Sequence, residues 1–129
     1  VSPQTEVWIA EPEHFDEAWA SVKAGRRLVA DQSRTTICDA LASPSPGALT
    51  FPILQRLARG GATLTEDEVG AAMTYAFKHL KLVLEPGGAV ALAAVLTGKV
   101  PAAGRTIGLT LSGGNVDPGL YAQILALHG

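Results

Sequence analysis

From Ala89 to Leu96 the chain runs Ala-Val-Ala-Leu-Ala-Ala-Val-Leu, without one polar side chain. Pro86 stands just ahead of this run and Gly98 just behind it. Proline suits the first turn of a helix and glycine its end, so the spacing predicts a helix from Pro86 to about Thr97. A helix that is apolar on every face has no side to show to water and has to be wrapped by other elements. The uncharged run is too short to span a bilayer, which takes roughly 20 residues. The helix is therefore expected at the centre of a layered, water-soluble body.

The flanking sequence supplies candidate layers. Glu6-Val7-Trp8-Ile9-Ala10 is β-rich and reads as a buried strand ended by Glu11-Pro12. Asp16-Glu17 suits a helix N-terminus, and Gly25 suits its stop after Lys23. Residues 26–49 carry Ser43-Pro44-Ser45-Pro46-Gly47 and read as irregular. Pro52 opens a helix through Ile53, Leu54, Leu57 and Ala58, with Gly60-Gly61 as its expected end and Ala62-Thr63-Leu64 as a short strand. Thr65-Glu66-Asp67-Glu68 is a capping box. Val69, Ala72, Met73, Ala76 and Leu80 follow at helical spacing, with Met73 and Phe77 expected in the core. Thr106 to Leu111 reads as a central strand and Pro118 to Leu127 as a last helix. Strands alternating with helices predict an α/β fold with a partial, open, mostly parallel sheet. About three strands against about five helices make a sheet too narrow to cover its helices, which points to a missing part.

Composition narrows the function classes. The net charge is −2, with 47% hydrophobic and 17% charged residues. This is globular and leaves no footprint for nucleic acid or anionic membrane. Arg26-Arg27 and Arg34 read as a solvated helix end. The single cysteine, Cys38, permits no internal disulfide and fits a reducing cytoplasm, with a core role for the thiol. Val1-Ser2-Pro3-Gln4 is no signal peptide, and the absence of an initial Met suggests a piece of a longer polypeptide.

In open α/β sheets ligands bind beyond the carboxyl ends of strands. Two candidate strands end distinctively, one in Glu11-Pro12 and one in Ser112-Gly113-Gly114-Asn115. Paired glycines let backbone approach a ligand, and a hydroxyl and an amide beside them can hydrogen-bond it. The same Gly-Gly also serves as a plain turn. No G-x-G-x-x-G, P-loop or G-x-S-x-G is present, and His14, His79 and His128 lack metal-ligand spacing.

The order of segments resembles the threonine dehydratase and serine racemase family of pyridoxal-phosphate (PLP) enzymes. Thr36-Ile37-Cys38-Asp39-Ala40-Leu41 is similar to that family's TIADGL segment. Pro46 to Ile53, Thr65 to Glu68, Lys81-Leu82-Val83-Leu84-Glu85-Pro86 and Leu111 to Asp117 follow in the family's order. Departures are Cys38 for Ala, Ala40 for Gly, and Gly87 where Ala, Ser or Thr is common. The resemblance implies the C-terminal part of a fold type II, tryptophan-synthase-β-like catalytic region, as one domain over residues 1–129. The half with the Schiff-base lysine, in an S-x-K-x-R-G context, and the phosphate loop are absent.

By the same resemblance, Ser112 meets the pyridine nitrogen of PLP, with Gly113, Gly114 and Glu85 beside the ring. A hydroxyl cannot hold that nitrogen protonated as a carboxylate would, so the ring is a weaker electron sink and loss of a β-hydroxyl is favoured over transamination. Glu85 read alone is a carboxylate at a helix N-terminus. Lys81 and Asn115 match nucleotide-effector positions of serine racemases, and Lys81 equally suits a surface lysine. Glu11, the Phe15 carbonyl and Glu17 match a site for Mg²⁺ or Ca²⁺, which take oxygen ligands. Asp16 is an alternative to Glu17, and read alone these acids are helix-start residues. The implied activity is α,β-elimination from a hydroxy-amino acid such as threonine or serine to a 2-oxo acid and ammonia. Serine racemase and hydroxyaspartate dehydratase are the nearest variants, and a non-catalytic association or regulatory module is the competing class. The expected partners are the N-terminal half, the amino-acid substrate and, at full length, further copies in a homo-oligomer. The chain alone is expected to be inactive.

Overall fold

A computed structural model describes residues 2–129. Strand β1 (Val7–Pro12) leads to helix α1 (Glu17–Ala24), which stops at Gly25 in the left-handed region, φ 69°. A single 3-10 turn at Asp39–Leu41 interrupts the irregular stretch before α2 (Phe51–Leu57). Strand β2 (Ala58–Leu64), α3 (Glu66–Tyr75), a π turn (Ala76–Leu80), α4 (Pro86–Leu96) and α5 (Pro118–His128) complete the chain. Among the described residues no helix is long and apolar enough to cross a membrane.

β1 and β2 pair in parallel, with Trp8 opposite Gly60, Ala10 opposite Ala62 and Pro12 opposite Leu64. Paired residues share a face. Ala62 and Leu64, with Trp8 and Ala10 packed beside them, join the core made with α3 and α4. On the other face lies α1, whose Trp19 ring occupies the space a Cβ on Gly61 would need. The arrangement is helix, sheet, helix. It explains Gly60-Gly61, which was expected to end α2 and instead lies inside β2. Trp8 covers Gly60 on one face and Trp19 covers Gly61 on the other. The glycines are therefore seats for indole rings rather than a stop.

The core centres on α3 and α4. Met73, Val69 and Ala76 are fully buried, as are Ala89 and Ala93 of the all-apolar helix. The capping box forms as expected: Thr65 Oγ1 accepts from the Glu68 N–H (3.2 Å) and Glu68 Oε2 accepts from the Thr65 N–H (2.8 Å). Phe77 and Leu80, expected in the core, are each 43% exposed. At Ala76 the helix widens into the π turn. A π turn closes i to i+5 rather than i to i+4, so the 3.6-residue spacing stops predicting which face is buried.

The expected central strand over Thr106–Leu111 does not form. Strand status requires a ladder, and among the described residues no backbone group of residues 106–112 bonds to another backbone group. The sheet has two strands, not three. Leu109 and Leu111 still pack against the core from this segment. Its start is tied to the start of β1 by Arg105 and Glu6, 2.6 Å apart.

Candidate active site

Two short backbone segments meet at the N-terminus of α4. The Glu85 N–H donates to the Gly113 carbonyl at 3.0 Å. A Cβ on Gly88 would stand 2.8 Å from the same carbonyl oxygen, and one on Gly114 would stand 2.6 Å from the Val83 carbonyl oxygen. One on Gly113 would run into the Glu85 carboxylate, 2.7 Å from its Cδ. The glycines thus let Ser112-Gly113-Gly114 lie directly against Val83-Leu84-Glu85-Pro86. Sequence reasoning attributed the pair to close approach by a ligand. Here the approaching group is first of all the α4 N-terminus, and Gly88, overlooked in the sequence, is the third member of the contact.

The arrangement leaves a defined set of groups at one place. Glu85 is half-buried and Ser112 is exposed. Among the described residues the Ser112 hydroxyl has no hydrogen-bond partner within the chain. Ser112, Gly113, Gly114 and Glu85 are therefore brought together. Lys81 and Asn115 flank this contact but do not bond to each other. Lys81, in the left-handed region at φ 60°, turns its Nζ to the Lys78 carbonyl at 2.8 Å, and Asn115 is exposed. Two departures from the family pattern meet nearby: a Cβ on Gly87 would sit 3.4 Å from the Ala40 Cβ. Cys38 is fully buried beside this turn, and burial pushes its thiol up to about 11, which makes it inert core.

The end of β1 carries a second cluster. Glu11 reaches across to the N-terminus of α1 and accepts from the Ala18 and Trp19 N–H groups, each at 2.9 Å. It supplies the side-chain cap that Asp16 does not make. Asp16 instead accepts from the Thr63 hydroxyl at 3.2 Å. Burial pushes the Glu11 carboxyl up to about 7, the two N–H donors oppose this, and the neighbouring Glu17 and Asp16 charges add to it. Glu17 is buried, with Oε1 accepting from Ser43 Oγ at 3.0 Å and Oε2 buried without a partner. Glu11, Phe15 and Glu17 line one cavity of about 180 Å³. Glu11 and Glu17, one oxygen of the latter orphaned, are two acids crowded together, whose oxygens and ionised form a hard cation would favour. Among the described residues no group of three His, Cys, Asp or Glu gathers for a metal, so a site here needs a backbone oxygen as well.

The sequence profile of the family described as "Pyridoxal-phosphate dependent enzyme" matches residues 1–113. The chain belongs to the pyridoxal-phosphate dependent enzymes. Within that family it is 38% identical over 117 residues to the β-hydroxyaspartate dehydratase of Paracoccus denitrificans, covering 91% of this chain and 36% of that one. It is also 38% identical over 124 residues to a serine racemase of Arabidopsis thaliana, covering 92% of this chain and 37% of that one. Among solved structures it superposes on the T.th. threonine deaminase with a TM-score of 0.82 and 40% identity, covering 91% of this chain and 39% of that one. Maize serine racemase superposes with a TM-score of 0.83 and 32% identity, covering 98% of this chain and 41% of that one. The chain thus has the α/β architecture of these PLP enzymes and spans little more than a third of their length.

Proposed function

We propose that this chain is the part of a PLP-dependent hydroxy-amino-acid ammonia-lyase that meets the cofactor ring, and that its parent protein eliminates a β-hydroxyl to yield a 2-oxo acid and ammonia. The observation carrying this reading is the Glu85 N–H bond to the Gly113 carbonyl, 3.0 Å, which sets the exposed Ser112 next to the segment that opens α4. That set fits the edge of a pyridine ring: an exposed hydroxyl for the nitrogen, on backbone held closely against the α4 N-terminus. When bound, PLP supplies the electron sink for breaking bonds at the amino-acid α-carbon. This chain's residues orient it. Ser112 bonds the ring nitrogen without charging it, and Glu85 stays fixed by its own N–H on Gly113. Lys81 and Asn115 are placed to border a nucleotide effector.

The lysine that such chemistry needs lies outside residues 1–129 in this reading. Lys23 sits over the Trp19 ring, and Lys81 is turned to Lys78. Lys99 is held by the Thr63 carbonyl and Glu68, and Lys78 is exposed on the π turn. The chain is then one domain portion whose partners are the remainder of its polypeptide, the amino-acid substrate and further copies of the parent. The free thiol of Cys38 supports a reducing, cytoplasmic setting. The names of the relatives favour threonine, serine or hydroxyaspartate as substrate class, with racemisation as the nearest alternative.

The test is Ser112→Asp in the parent enzyme, followed by ammonia release from threonine, serine and hydroxyaspartate. A carboxylate would hold the ring nitrogen protonated. Elimination should fall on the order of 10-fold, about 1.4 kcal/mol of barrier, while bound PLP is retained. Unchanged elimination would remove Ser112 from the ring nitrogen.

Glu11, the Phe15 carbonyl and Glu17 are proposed to hold Mg²⁺ or Ca²⁺, with support from their shared cavity and the orphaned Glu17 oxygen. A bound cation stabilises the native state by mass action. Glu11→Gln in the parent enzyme should abolish the rise in melting temperature produced by either cation. A rise of unchanged size would remove Glu11 from the site.

A further inference from the structure

Two adjacent glycines open α4, and the backbone explains only one of them. A Cβ on Gly88 would stand 2.8 Å from the Gly113 carbonyl oxygen, so no side chain fits there. Gly87 sits in the first turn of the helix and needs no left-handed φ. Alanine would make that turn more stable. What a Cβ on Gly87 would meet is the 3-10 turn: the Ala40 Cβ and the Leu41 Cγ, each at 3.4 Å. That is the inner limit of van der Waals contact between carbons, so one methyl group fills the gap between positions 40 and 87 and two crowd it. Ala40 already supplies the one.

We propose that Ala40 and Gly87 are a matched pair of positioning residues, which set the separation between the Asp39–Leu41 turn and the start of α4 and thereby hold Glu85 in place beside Gly113. The turn is fixed from behind. Cys38 is fully buried, the Leu41 N–H donates to the Cys38 carbonyl at 2.8 Å, and the Ile37 N–H donates to Glu66 Oε1 of α3 at 2.8 Å. The same first turn of α4 also meets Gly113, where the Glu85 N–H bond is 3.0 Å and the contact at Gly88 has no room for a methyl group. The start of α4 is thus seated against two segments without slack. A methyl group added at Gly87 has to displace either the turn or Glu85, and the turn is anchored in the core.

The pair acts through Glu85 and touches no reacting atom. Its catalytic consequence rests on the reading that Glu85 borders the cofactor ring, whereas its mechanical consequence does not. Removing the Ala40 methyl leaves slack, and adding one at Gly87 leaves pressure. Doing both moves the methyl across the contact and restores the spacing. The double substitution is therefore expected to perform better than the Gly87 substitution alone, the reverse of what two independent losses give.

The experiment makes Gly87→Ala, Ala40→Gly and the double variant in the parent enzyme. It reads kcat and KM for ammonia release, PLP absorbance, melting temperature and amide hydrogen exchange at Glu85. Gly87→Ala should lower kcat about 10-fold and move KM less than about 3-fold, since a small misplacement at a site costs rate before binding. Its melting temperature should not fall, because alanine suits the helix better. Exchange at Glu85 should quicken about 10-fold as its bond to Gly113 loosens. The double variant should return both kcat and exchange to within about 3-fold of the parent. Ala40→Gly cannot crowd the contact, so it reports even if Gly87→Ala does not fold, and its kcat should fall about 3-fold. A double variant no better than Gly87→Ala overturns the pairing. Unchanged kcat and unchanged Glu85 exchange in both single variants overturn the positioning role. So does a loss of kcat that follows the melting temperature while Glu85 exchange stays constant, because the role is then packing alone. PLP absorbance separates this result from the proposed function. The expected Glu85 exchange pattern in a parent without PLP keeps the pair and removes the cofactor reading, and PLP with unresponsive Glu85 exchange does the reverse.

Discussion

The α3–α4 pair and the segment from Arg105 to Leu111 are both rich in apolar residues, but only the first finds everything it needs within the chain. In α3 and α4 the interior backbone groups bond within their own helix, so burial of Val69, Met73, Ala89 and Ala93 follows once the faces meet. Thr106 to Leu111 cannot satisfy itself in that way. A strand's polar backbone depends on a neighbour, and here the neighbouring position is an open groove. Helical elements satisfy their backbone locally, whereas a strand does not.

That contrast can be broken by equal truncations in the two regions. Leu64 is fully buried against α3 and α4, and Leu64→Ala should cost about 2–5 kcal/mol of unfolding free energy, as large-to-small core changes do. Leu109 is only half-buried on the unpaired segment. By the same bookkeeping Leu109→Ala should cost under about 1 kcal/mol. Urea unfolding of both variants measures this. Equal losses in the isolated chain would mean that the two regions are equally finished.

A smaller effect sharpens the comparison on the paired side of the sheet. A Cβ at Gly61 meets the inner atoms of the Trp19 ring, nearest the helix backbone, whereas one at Gly60 meets the outer edge of Trp8. An outer ring edge can swing aside, while atoms beside the backbone cannot. Gly61→Ala should therefore cost about 1–3 kcal/mol as overpacking, and Gly60→Ala should cost less. Pairing Gly61→Ala with Trp19→Leu should recover part of the loss. If Gly60→Ala proves the more costly, the assignment of Trp19 as the fixed ring is wrong.

What the sequence made legible divides along the same line. The Thr65 capping box, the left-handed Gly25 stop and the all-apolar α4 are local signals, and each forms where its residues stand. Gly60-Gly61 misled because a helix stop and a bed for two indole rings look alike until Trp8 and Trp19, both distant in sequence, are seen above them. Phe77 and Leu80 misled because nothing in the helical spacing announces the π turn at Ala76. For Thr106–Leu111 the sequence carries the pattern of a strand, but among the described residues no backbone lies alongside to pair with it. At the site, the Ser112-Gly113-Gly114 run was conspicuous. Its contact with Glu85 and Gly88 was not, because backbone approach between distant segments leaves no mark beyond the glycines themselves. The cap that Glu11 places on α1 was equally hidden, since it joins two elements through a long side chain.

The proposed function puts the ring-nitrogen side of a PLP site at Ser112 and puts the Schiff-base lysine and the phosphate-binding groups outside residues 1–129. A single neutral hydrogen bond from Ser112 contributes about 1 kcal/mol net, far from the roughly −8 kcal/mol of micromolar binding. The most direct measurement is a PLP titration of the purified 129-residue chain, followed by visible absorption and by borohydride reduction with mapping of any modified lysine. The account predicts no saturable band and no single labelled site. A stoichiometric band trapped on one of Lys23, Lys78, Lys81 or Lys99 would contradict it and place the reactive lysine within this chain.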